Sequence, residues 1–232
     1  MRVVRGRSAD VNADRRVGAV LSESVERSGE PALRVWTPQR QVAFGRRDAA
    51  SDGYDRACQA ARERDYAVVE REVGGRAVAY TGSVVAFSYL VPNRDGEGIG
   101  DRYDAATDRL KHALSSLGAT VRDGEPDGAF CPGDHSLRGA GKIAGIAQRV
   151  RREVAVVGGC LVVREADEAT IADVLDPIYD ALGAPFDPDS VGSVEAAGGP
   201  GDPEAVVDAV ESAFVGARPV ERVSVEDVLR DV

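Results

Sequence analysis

The stretch FCPGDHSLRGAGKIAGIAQR, residues 130–149, decides how the chain is read. Of the 29 Lys and Arg residues only two are lysine, Lys111 and Lys142. Lys142 stands between Gly141 and Ile143, with Ala144, Gly145 and Ala147 following. Small neighbours let a backbone lie close to a ligand, and an ammonium there is a compact point charge for a carboxylate, a phosphate or a polarised carbonyl. Upstream of the lysine, Cys131 lies in a Cys-Pro-Gly run that suits a loop. Glycines recur through residues 130–163 and mark turns between consecutive strands.

Working outward, residues 71–80 read REVGGRAVAY, a glycine pair between two strand-like runs. Further upstream, residues 34–36 and 42–46 read as two strands joined by a turn around Pro38. Together, Arg71 to Val78 and Gly141 to Arg149 resemble the lipoate-protein ligase A and octanoyltransferase family, with Arg34 to Arg46 similar to that family's opening strands. The resemblance runs from about residue 1 to 215 and rests on the order and spacing of the three motifs. It implies an α+β fold like the biotin/lipoate protein ligase catalytic domain. It also implies a tunnel for an eight-carbon acyl chain lined by the Gly-Gly loop and the lysine strand. Its acyl-binding candidates are Arg71, Gly74, Gly75, Arg76, Ala77, Gly145 and Ala147. Its catalytic candidates are Lys142, for the acyl carbonyl, carboxylate or acyl-phosphate, and Cys131.

Cys131 separates the activities that the resemblance allows. The Cys-Pro-Gly ahead of Gly-Lys resembles that of the amidotransferases that move octanoyl through a cysteine thioester. A thiolate is the nucleophile in such chemistry, and Lys142 beside it would favour that form. The preferred expectation is therefore transfer of an octanoyl or lipoyl group to one lysine of a lipoyl carrier domain, an E2 subunit or the glycine-cleavage H protein. No cofactor beyond the acyl group is then needed. The alternatives are an ATP- and Mg-dependent lipoate-protein ligase without the thioester, and a non-catalytic module that binds lipoyl carriers. Three positions depart from the family pattern: Glu70 replaces the first arginine of a pair, Val73 a Ser or Thr, and Tyr80 a histidine.

His135 with Cys131 supplies two potential metal ligands, too few for a zinc site, and His135 is read as a half-exposed strand residue. Cys58 and Cys160 fall in apolar patterns and are read as core. The acidic residues Asp202, Glu204, Glu211, Glu226 and Asp227 are read as solvated helix faces.

A formal charge of −10 and the scarcity of lysine give an acidic surface without a basic stripe, which argues against a nucleic-acid partner. It fits a high-salt cytoplasm, although a GC-rich genome also exchanges lysine for arginine. The amino terminus has no apolar run of a signal peptide and no stretch is long enough to span a membrane, so a cytoplasmic location with reduced thiols is expected. Aromatics make up only 5% of the 232 residues, leaving Val, Ala and Leu to build the core of one domain, 1–232. Helical periodicity is expected over 12–28, 52–64, 102–117, 168–182 and 203–214. Strands are expected over 2–5, 32–36, 41–44, 66–69, 77–80 and 84–91. Hairpins mixed with helices indicate a mixed, largely antiparallel sheet flanked by helices.

Overall fold

The computed structural model describes residues 1–71, 75–93 and 98–230. Its first half comprises β1 (Arg2–Arg5), α1 (Val11–Ser28), β2 (Ala32–Trp36), β3 (Gln41–Phe44), α2 (Arg46–Ala49) and α3 (Tyr54–Arg62). There follow β4 (Ala67–Glu70), β5 (Val78–Tyr80), β6 (Val85–Pro92) and α4 (Ile99–Ser116). The second half contains β7 (Arg122–Asp123), β8 (Ser136–Arg138), β9 (Lys142–Val150), β10 (Val154–Leu161) and α5 (Glu165–Ala181). It closes with α6 (Pro203–Val215), β11 (Glu221–Ser224) and α7 (Val225–Arg230).

Among the described residues the strands form two sheets. The larger has eight strands in the order β11-β1-β2-β6-β10-β9-β8-β7, and the smaller has the order β4-β3-β5. The large sheet is parallel where β11, β1 and β2 meet and antiparallel from β2 across to β7. This is the mixed, largely antiparallel architecture that the hairpin pattern predicts.

Local sequence sets the helices that cover the sheet. Asp10 caps α1 by accepting from Ala13 N at 2.6 Å, and Val17, Leu21 and Val25 then pack with Val4, Leu90 and Val228. Asp202 and Pro203 start α6, which buries Val206, Val210 and Phe214 with α4 against Leu33, Phe87 and Tyr89. On the face shared with α1 and α7, the small sheet packs with α3 and α5 around Phe44, Ile171 and Tyr179.

Between α1 and the small sheet, the large sheet carries little side chain. Its register aligns Gly145, Cys160 and Ala86 in one row and Ala147, Gly158 and Ser88 in the next. Residues paired across strands share a face, so these small groups leave a hollow there. Gly159, on the opposite face, has no room for a β-carbon, which would stand 2.3 Å from the Gly145 carbonyl oxygen and 2.8 Å from the Phe87 ring.

Several boundaries differ from the sequence reading. The strands expected from Phe130 onward begin only at Ser136, because Pro132 and Gly133 hold a loop between β7 and β8. Helix α4 starts at Ile99, where Asp101 accepts from Gly98 N at 3.1 Å. The short elements α2, β7, β11 and α7 have too few residues to show a period. Glu211 is not on a solvated face: it is 2% exposed and paired with Arg5 and Arg222. The other four acidic residues named with it are exposed. Cys58 and Cys160 are buried as expected. No described helix is long and apolar enough to cross a membrane.

Candidate active site

Cys131 lies in the β7–β8 loop with φ of 43°, in the left-handed region where a residue with a β-carbon is strained. Such a conformation costs roughly 1–3 kcal/mol and persists when its surroundings over-determine it. Each polar group of Cys131 is held. Its N–H donates to Tyr179 Oη at 2.6 Å, its carbonyl accepts from Lys142 Nζ at 2.8 Å, and its sulfur accepts from Arg71 Nη2 at 3.2 Å. Tyr179 itself donates to the Ala77 carbonyl at 3.0 Å, tying α5, the loop and the approach to β5 together.

Lys142 opens β9 and is 1% exposed. Besides Cys131 O, its ammonium donates to Phe130 O at 2.9 Å and Glu125 Oε2 at 2.6 Å. A lysine ammonium has three protons and no acceptor, so all three are engaged. The ammonium lies beside Cys131, bonded to its carbonyl oxygen and not to its sulfur. The left-handed turn presents the carbonyls of Phe130 and Cys131 to Lys142, and the sulfur meets the guanidinium of Arg71 instead.

Arg71 also donates from Nη2 to Arg76 O at 2.6 Å, while its Nε is buried without a partner among the described residues. Burial acts to pull the guanidinium down, but Cys131 and Tyr80 facing it hold it above the ordinary arginine value. Burial, and secondarily Cys131, push the Cys160 thiol up to about 11. Burial, and then Cys160, likewise raise the Tyr80 phenol, which disfavours a phenolate in this apolar surrounding.

Arg71, Gly75, Cys131, Lys142, Gly145 and Ala147 line one cavity of about 470 Å³, within the usual range for a small-molecule site. Trp36, Ser88 and Val156 continue its wall along the sheet. Arg76 and Ala77 do not line it: Arg76 pairs with Asp48 at 3.2 Å, and Ala77 is fully buried. Gly74 and Val73 lie outside the described residues. His135 is half-buried immediately before β8, stacked on Tyr103 at 3.7 Å between ring centroids. Glu70 is exposed and accepts from Tyr54 at 2.8 Å, away from the cavity. Among the described residues no cluster of His, Cys, Asp or Glu could hold a metal ion.

Two contributors escaped sequence reading. Glu125, in a Gly-Glu-Pro-Asp-Gly run, looks like ordinary loop, and Tyr179 reads as one more apolar position of a helix. The extra carboxylate beside a lone buried lysine is the signal that could have drawn attention to Glu125.

Residues 17–215 match the model of the lipoyl protein ligase A/B catalytic domain. The chain belongs to this family. Among its relatives is an octanoyl-GcvH:protein N-octanoyltransferase of Geobacillus kaustophilus, 36% identical over 143 residues, covering 60% of this chain and 48% of that protein. A protein of the same description from an Exiguobacterium species is 31% identical over 149 residues, covering 64% and 53%. The chain thus spans about half the length of these relatives. The structure of a lipoate-protein ligase A bound with ATP superposes with a TM-score of 0.76 over 99% of this chain and 92% of that one, at 18% identity, and so shares the fold. The matched residues include the small sheet, the large sheet from β2 to β7 and the residues named around the cavity, whereas β1 and β11 lie outside them.

Proposed function

We propose that the protein transfers an octanoyl or lipoyl group between lysines of lipoyl carrier domains through a thioester on Cys131. The carriers are the glycine-cleavage H protein and E2 subunits of oxo-acid dehydrogenases, in the cytoplasm. The observation that carries this reading is Cys131 itself: a strained, cavity-lining cysteine whose N–H, carbonyl and sulfur are each held, with a guanidinium on the sulfur. The relatives described as octanoyl-GcvH transferases support the choice of substrate.

The acyl chain lies along the small residues of β9 and β10, with its carbonyl at Cys131. In the first half-reaction the Cys131 sulfur bonds to the acyl carbon. The carbon–nitrogen bond to the donor lysine then breaks, and the amine leaves with the proton given up by the thiol. In the second, the acceptor lysine's amine bonds to the acyl carbon, the carbon–sulfur bond breaks, and the proton returns to sulfur. One amide replaces another, so the exchange is nearly isoenergetic and needs no ATP. Arg71 steadies the sulfur through Nη2 and, lining the cavity, sets a cation beside the acyl carbon under attack, where negative charge develops on oxygen in each tetrahedral intermediate. Lys142 holds the loop. Glu70, where the family pattern has the first arginine of a pair, is turned out to Tyr54.

The test is intact-mass measurement of the protein mixed with octanoylated H protein, without ATP. An octanoyl adduct on the wild type and none on Cys131→Ala is the expected result. Pyrophosphate release from ATP with free lipoate or octanoate, together with an active Cys131→Ala variant, would establish a ligase instead. Binding of the carrier with neither reaction would leave a carrier-binding module.

A further inference from the structure

We propose that Glu125 is a positioning residue for acyl transfer, acting through Lys142 on the loop that carries Cys131. The proposal rests on Cys131 as the nucleophile.

The carboxylate gathers that loop. Glu125 Oε1 accepts from Gly133 N at 3.0 Å, and Oε2 accepts from Ser136 Oγ at 2.8 Å and from Lys142 Nζ at 2.6 Å. Glu125 thus fixes the chain two residues beyond Cys131 and again where β8 begins. Lys142 then fixes Cys131 from beneath, through the carbonyls of Phe130 and Cys131.

Charge makes the arrangement directional. Lys142 is 1% exposed, and Glu125 is its ion-pair partner. Without that carboxylate a buried ammonium would face only two neutral carbonyls, a costly state relieved by moving the lysine or admitting water. Either change releases the carbonyl of Cys131, one of the three bonds that hold a left-handed cysteine. A nucleophile misplaced by about 1 Å can lose about 100-fold in rate. Glu125 is not among the residues that line the cavity, although Cys131, Gly133, Ser136 and Lys142 all are. Its influence on the chemistry therefore passes through the lysine and the loop.

A double-variant cycle tests this, using wild type, Glu125→Gln, Lys142→Met and the pair, with Glu125→Asp as the conservative control. Single-turnover acylation of Cys131 by octanoylated H protein is followed by intact mass across donor concentrations, with thermal unfolding recorded for each protein. Glu125→Gln is expected to lose about 100-fold in the saturated acylation rate. Its half-saturating donor concentration should stay within about two-fold, and Glu125→Asp should recover part of the rate. Because Glu125 acts in part through Lys142, the paired variant should lose clearly less than the product of the two single losses, the remainder being the direct bonds to Gly133 and Ser136. Independent, multiplying losses would overturn the proposal, as would a wild-type rate in Glu125→Gln. A defect confined to the half-saturating concentration, or unfolding that alone accounts for the loss, would overturn it too. If the wild type forms no adduct, the Cys131 reading fails first, which separates the two ideas.

Discussion

Gly75 and Cys131 face each other with no space for a carbon atom between them: a β-carbon on Gly75 would stand 2.7 Å from the sulfur and 2.9 Å from Arg71 Nη2. Gly75 also has φ of 92°, a conformation that side chains rarely adopt. The glycine therefore serves the sulfur–guanidinium contact as much as the turn.

Gly75→Val should abolish acylation of Cys131, and Gly75→Ala should slow it by at least about 10-fold, since the sulfur or the guanidinium must yield. Both carry roughly 1–3 kcal/mol of backbone strain. Acylation kinetics read beside thermal unfolding check this, and wild-type acylation in a folded Gly75→Val protein would reduce the loop to a turn.

Arg71→Met keeps much of the side chain's length and removes its charge and donors. Loss of an oxyanion donor is typically worth about 10²–10³ in rate. The acylation rate should fall by that factor at saturating donor, with a smaller effect on donor affinity. Lys142→Arg should also fail, because a planar fork cannot direct single bonds to Glu125 Oε2, Phe130 O and Cys131 O as the ammonium does.

Glu211 joins Arg5 of β1 and Arg222 of β11, with Arg222 Nη2 at 2.9 Å. The hydrogen bond that Arg5 donates to Glu211 raises its guanidinium above the ordinary value, against the opposing effect of burial. Glu211→Ala should cost about 1–3 kcal/mol, less than a fully buried pair because both arginines reach water. Denaturant unfolding measures it, and Glu211→Gln should be milder.

Stability should fall with rising pH through the titration of Cys160. In the unfolded chain this thiol ionises near 9.0, whereas in the folded protein burial, aided by Cys131, delays it to about 11. Below pH 9 the thiol is neutral in both states. Between 9 and 11 the unfolded chain loses its proton first, so folding loses about 2–3 kcal/mol across that window. Cys160→Ala should flatten the slope there. An unchanged slope would show that Cys160 does not control it.

The amino-acid sequence by itself determined the family and most of the elements, because those depend on local pattern. Strand alternation, helix period and each of the motifs Gly-Gly, Cys-Pro-Gly and Gly-Lys are written within a few residues, and their order is read straight along the chain. Only the tertiary structure decided which groups meet. Lys142 is eleven residues from Cys131 and reaches its carbonyl, whereas the cation on the sulfur, Arg71, is 60 residues away. Glu125 and Tyr179 look like a loop acid and a helix aromatic until the chain closes around Cys131. Glu211 looks solvated until β1 and β11 bring arginines to it. Pairings of this kind are set by packing between distant segments: a buried charge must find its partner wherever the fold places one, and periodicity carries no record of that distance.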